Sequence, residues 1–148
     1  MCQLLKITMN HKPTWLEEEQ IVLPDGTTAL QSYDTEGDVL EIFFNDAAAN
    51  ATLELADGVF LRFDRQQRRP LSMGFIAASV LMNQTEFGPS LLSLTGLAKL
   101  PDSERQLILH LLQTPPLNLI LQLYSFKPTA RARAIPVASL AQSIPLAA

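Results

Sequence analysis

The chain has 148 residues, of which 47% are hydrophobic and 18% charged, with a formal net charge of −4. That length suits one domain with a core that needs no covalent staples. The mild acidity argues against the broad basic footprint of a nucleic-acid binder, and a lone cysteine, Cys2, excludes an internal disulfide.

Cys2 lies beside the N-terminus, where a catalytic cysteine is not expected, so it reads as an inert thiol. The opening segment has no secretory pattern, and no apolar run approaches the roughly 20 residues of a membrane helix. A cytoplasmic, soluble protein is expected, with the Asn-x-Thr sequences at Asn50 and Asn83 as chance matches.

Residues 1–27 form an N-terminal segment. Leu4, Leu5 and Ile7 suit a short strand. Trp15 to Gln20 suit either a helical turn capped by Thr14 or a loop. Leu23-Pro24-Asp25-Gly26 is a turn. Residues 28–77 alternate apolar and polar side chains between short Asp, Asn and Gly breaks, the pattern of a β-meander with one buried face. Strands are predicted over Thr28–Tyr33, Asp38–Phe44, Ala51–Leu55, Val59–Asp64 and Leu71–Ile76. Those at 38–45, 51–56 and 58–64 are expected to pair in sequence order. Leu40, Ile42 and Phe44 form the unbroken apolar face. Asp57-Gly58 supplies the positive φ of a two-residue hairpin turn, and Gly74 suggests a bulge.

Residues 78–148 are read as a helix plus a returning strand. Ala77–Met82 suits either a strand extension or a helix start, and Leu91–Leu100 is weakly helical. Pro101–Gln113 carries the strongest helical pattern: Pro at the start, acids in the first turn, and a stripe of Leu107, Ile108, Leu111 and Leu112. Pro115-Pro116 stops it. Leu117–Phe126 reads as a long strand with Leu117, Leu119, Leu121 and Leu123 on one face. Arg131–Ile135 suits a shorter neighbour, and Pro136–Ile144 a last helical turn.

The run Tyr33-Asp34-Thr35-Glu36-Gly37-Asp38-Val39-Leu40-Glu41-Ile42, followed by Glu54, Asp57-Gly58, Phe63-Asp64 and Gly74-Phe75-Ile76, resembles a family of small bacterial domains known as domain of unknown function 2283. The resemblance covers about residues 30–80. It implies a β-hairpin module and carries no catalytic residues with it. Members place a Gly in the turn after the last Asp, where this chain has Arg65-Gln66-Gln67-Arg68-Arg69.

Four clusters merit weighing as sites. Asp34, Glu36 and Asp38 have carboxylates at alternate spacing, but a calcium loop counted from Asp34 needs Gly at its sixth position and Glu at its twelfth. Val39 and Asn45 stand there, so the acids read as turn residues. Arg62, Arg65, Arg68 and Arg69, near Phe60 and Phe63 and with Arg131 and Arg133 as additions, offer a patch for an anionic partner. A solubilising hairpin tip is favoured over a nucleic-acid site, given the acidic total, and an acidic protein suits the patch better than a nucleic acid. His11 and His110 have no nucleophile or acid partner legible in sequence, and no Gly-x-Ser-x-Gly elbow is present. The leucines at 117, 119, 121 and 123 suit a core strand or a contact between two copies.

The expectation is an α+β fold: a twisted antiparallel meander with one or two helices on one face, forming a single domain over 1–148. The function expected is a non-catalytic protein-binding or assembly module, homodimeric, with no cofactor, no metal and no catalytic residue. The alternatives are a small-ligand or enzymatic domain with a pocket between sheet and helix, and a regulator that binds an anionic partner through the 62–69 arginines.

Overall fold

The computed structural model describes residues 18–45 and 47–140; Cys2, His11 and the strand expected at Leu4–Ile7 lie outside them. Strand β1 spans Glu18–Val22 and β2 Thr28–Asp34, joined in an antiparallel pair. The turn between them is closed by Gly26 N–H on the Leu23 carbonyl at 2.8 Å and by the Asp25 carboxylate, which accepts from the Thr27 amide and hydroxyl. This pairing corrects the helical reading at 18–20. Pairing with β2 satisfies the backbone more fully than a single helical turn, which leaves most of its end groups open.

Strands β3 (Val39–Phe43), β4 (Ala51–Ala56), β5 (Val59–Asp64) and β6 (Arg69–Ile76) complete a six-stranded antiparallel sheet in the order β1-β2-β3-β6-β5-β4. The sequential meander is thus half right. The β4–β5 hairpin forms through Asp57-Gly58, but β3 pairs with β6, and β4 takes the far edge. That is a Greek key, in which the connection after β3 crosses the ends of two strands. Its seven residues, 44–50, are long enough for the crossing at about 3.3–3.6 Å each. It is tied down on the way: the Phe44 amide donates to the Leu71 carbonyl at 2.9 Å. Asn50 donates to Asp64 at 3.0 Å and accepts from the Arg65 amide at 2.9 Å.

Gly74 sits in regular register opposite Glu41, not in a bulge. The register shifts instead between Arg62 and Phe63, facing Pro70, and between Glu54 and Ala56. Proline has no N–H to give the ladder, which explains the first irregularity.

Alternation sends Leu40 and Ile42 of β3, Val59, Leu61 and Phe63 of β5, and Met73 and Phe75 of β6 to one face, all buried. Phe44, just past β3, packs partly buried on the same core. A second layer covers this face. After Ala77, which takes a left-handed φ of 57°, helix α1 (Ala78–Leu81) starts. A small hairpin of β7 (Gln84–Thr85) and β8 (Gly88–Pro89) leads to β9 (Leu92–Ser93), α2 (Thr95–Ala98) and α3 (Asp102–Leu112). The stripe of α3 is buried as its spacing predicts: Leu107, Ile108, Leu111 and Leu112. The segment read as weakly helical, 91–100, is therefore a short strand followed by one helical turn.

The long strand expected at 117–126 is divided. Leu117–Leu119 is a 3₁₀ turn, and β10 begins at Leu121 and runs to Phe126. The turn follows directly on Pro115-Pro116, where the backbone has not yet reached an extended path. Strand β11 spans Ile135–Leu140 where a helical turn was expected, and it starts at the end of the predicted 131–135 strand. It pairs with β10 on one side and β9 on the other, giving a three-stranded sheet β10-β11-β9. The fold is α+β, with the six- and three-stranded sheets and the helices contributing to one continuous apolar core.

Candidate functional site

The Tyr-Asp motif builds a lock. Asp38 stands at a left-handed φ of 55° in the β2–β3 turn. Its carboxylate accepts from the Tyr33 hydroxyl at 2.7 Å, the Ser79 amide at 3.0 Å and the Ser79 hydroxyl at 2.6 Å. Its carbonyl accepts from the Ala78 amide at 3.0 Å. The turn is thereby fastened to the start of α1. The Ser79 hydroxyl, then Tyr33, hold the Asp38 carboxyl below its ordinary range. The bond to Asp38, then burial and the nearby charges of Asp38 and Asp34, push the Tyr33 phenol up. Asp34 accepts from the Glu36 amide at 3.1 Å. The alternating acids thus diverge into turn contacts, and among the described residues no three His, Cys, Asp or Glu side chains gather as a metal requires.

The arginines expected as an anionic-partner patch are distributed. Arg62 bonds Glu41 and donates to Ser72 at 3.0 Å on the outer face of the large sheet. Arg65 pairs with Glu104 of α3 at 2.9 Å and lies 5.9 Å from the Phe63 ring centre. Arg68 occupies a left-handed φ of 54°, a conformation glycine favours. It stands in the five-residue run that replaces the glycine turn of the resembling family. Arg69 is half-buried at the start of β6, and its Nε is enclosed without a partner. Arg131 and Arg133 lie in the loop between β10 and β11. Two of the four guanidiniums are therefore already neutralised, and 62–69 presents no continuous cationic strip.

Of the four leucines, Leu117 and Leu121 are buried inside the chain, and Leu119 and Leu123 pack partly buried against the same core. Leu117 and Leu121 have no surface to offer a second copy. His110 is exposed in the last turn of α3, a favourable end for positive charge.

Sheet edges differ in how they are closed. At β4 the edge is covered: α2 approaches so closely that a Cβ on Gly96 would meet the Glu54 carbonyl oxygen at 1.7 Å. β1 carries the exposed Glu19, an acid that discourages strand addition. β9 has two residues. β10, with the sequence LQLYSF, is six residues long, pairs regularly along its length with β11, and forms the outer edge of its sheet. It contains no charge, no proline and no bulge. Tyr124 and Phe126 project on its outer face, 48% and 53% exposed, opposite Val137 and Ile135. Tyr124 is steadied by its hydroxyl, which donates to Gln122 at 2.8 Å. The alternation read from sequence places the leucines on one face of this strand, and these aromatics lie on the other. The signal was the same alternation, read on the opposite face.

A cleft of ≈ 340 Å³ lies between α2, α3 and the start of β11, lined mainly by Leu97, Ala98, Leu109, Ile135 and Pro136, with Arg105 and Arg133 beside them. Arg105 is engaged with the carbonyls of Leu97, Ala98 and Leu100 and with Asp102 at 2.8 Å, closing the end of α2.

An antiparallel α+β module with a strand edge, β10, that no other described strand pairs is the class these features define. Within it, residues 32–69 match the family described as protein of unknown function (DUF2283). The match runs from β2 to the first residue of β6, so the strand that closes the Greek key and the whole second layer lie beyond it. No curated protein and no solved structure matches the chain.

Proposed function

We propose that this chain is a non-catalytic protein-binding and assembly module, that it works in the cytoplasm, and that it pairs with a second copy of itself by strand addition at β10. The observation that carries the reading is the β10 edge, long, neutral and regular, with Tyr124 and Phe126 exposed on its outer face. Such an edge offers a row of unmatched N–H and C=O groups to another strand. Antiparallel pairing of β10 with its own copy is self-complementary about a twofold axis. It also sets the two basic hairpin tips, with Lys127, Arg131 and Arg133, at opposite ends of the paired strands. Six residues span roughly 17–20 Å, well beyond a screening length of about 8 Å, so the tips do not repel.

Among the described residues no helix is long and apolar enough to cross a membrane. The test is solution mass by light scattering across the micromolar range. The wild type is expected at twice the 16.3 kDa chain mass, and a folded Tyr124→Lys variant at the single mass. A wild-type monomer at every concentration, or a dimer that survives the substitution, overturns the β10 interface.

A further inference from the structure

The cleft between α2, α3 and the start of β11 stands apart from the β10 edge. Its walls are apolar: Leu97 and Ala98 from α2, Leu109 from α3 and Ile135 from β11. At ≈ 340 Å³ it falls within the range of small-ligand pockets. The two cations beside it differ in availability. Arg105 has its guanidinium N–H groups directed to three carbonyls and to Asp102. Arg133 is exposed, and among the described residues no acid pairs with it. An apolar trough with one uncommitted guanidinium has a defined complement.

We infer that this cleft binds a small monocarboxylate, its apolar tail lying along Leu97, Leu109 and Ile135 and its carboxylate held by Arg133. The charge complementarity selects the class. A neutral molecule would leave the guanidinium unused, and a cation would be repelled by it. A guanidinium presents a planar fork that matches a carboxylate with two parallel hydrogen bonds. Apolar contact supplies most of the affinity, and the arginine supplies discrimination.

The test is titration of the full chain with sodium octanoate, followed by amide chemical shifts in NMR. Saturable shifts are expected at residues 97–98 and 133–135. Octanol at the same concentrations is expected to bind at least severalfold more weakly, and octylammonium not at all. Arg133→Gln is expected to weaken octanoate by roughly threefold or more, a modest factor because the arginine is exposed. Ala98→Trp, at an exposed position, is expected to fill the trough and abolish binding. Thermal unfolding checks that both variants fold. The assignment is overturned if no saturable shifts appear, if octanol binds as tightly as octanoate, or if folded Arg133→Gln binds as the wild type does. Tyr124→Lys is expected to bind octanoate unchanged, so failure here and failure of the β10 interface are separate results.

Discussion

Asp38 shows how one side chain holds two distant segments. It accepts three hydrogen bonds, from Tyr33 and from the amide and hydroxyl of Ser79. Its carboxyl is held below its ordinary value, so the charged form favours the folded state. That contribution is present above about pH 4, the unfolded value, and is lost as pH falls through the lowered one. Asp38→Asn is therefore expected to lower the melting temperature at neutral pH, and the gap from wild type is expected to narrow on acidification. Thermal melts at a series of pH values from neutral to acid check this. A gap that stays constant with pH would remove the charge from the explanation. Tyr33 has the opposite sign. Its phenol is pushed up, so its contribution is present below about pH 10 and is lost as pH rises through the raised value. Sequence made the Tyr-Asp motif visible, and the acids were readable as turn residues. Ser79, the partner 41 positions away, was not readable, because nothing local in Ala77–Met82 marks which turn it will meet.

Among the elements, the contact of α2 with β4 is the most exacting. α2 has four residues and covers a strand edge by coming within reach of its backbone. Only a residue without a Cβ fits at position 96, since that atom would lie 1.7 Å from the Glu54 carbonyl oxygen. Glu54 also borders the β4 bulge, so the strand is already bent there. Gly96→Ala must push α2 off the edge. It is expected to cost about 1–3 kcal/mol or more, the range for an overpacked site, measured by urea denaturation. An unchanged midpoint would mean that α2 does not seal this edge. In the sequence Gly96 falls within the weakly helical stretch 91–100, where a glycine disfavours helix. It lies inside a helical turn, where its value is steric. The same limit applies to β3 and β4: both strands were legible from period-two alternation, but period two does not name a neighbour. The neighbour was decided by the 44–50 crossing and its bonds to Leu71, Asp64 and Arg65.

At the scale of the molecule, Ile42 and Leu117 belong to one apolar cluster, although they lie in different sheets' layers and 75 positions apart in number. Both are fully buried. Ile42→Ala and Leu117→Ala are each expected to cost about 2–5 kcal/mol. Each is also expected to shift a single transition, seen alike by far-ultraviolet and near-ultraviolet circular dichroism. Two separated transitions, one moved by each substitution, would show that the large sheet and the second layer unfold independently. The sequence by itself determined the elements with strong periodicity: the strands from 28 to 76, the Asp57-Gly58 hairpin and helix α3. It also determined which face of β3 is buried. Those follow from contacts within a few residues, where alternation and turn chemistry suffice. The tertiary structure alone decided that β3 lies beside β6, that 117–119 turns before β10 begins, and that 135–140 is a strand. It decided the functional candidates as well. Whether an arginine is neutralised or a strand edge is left open depends on what arrives from elsewhere in the chain, and Glu104 reaching Arg65 while nothing described covers β10 is a fact of packing, not of spacing.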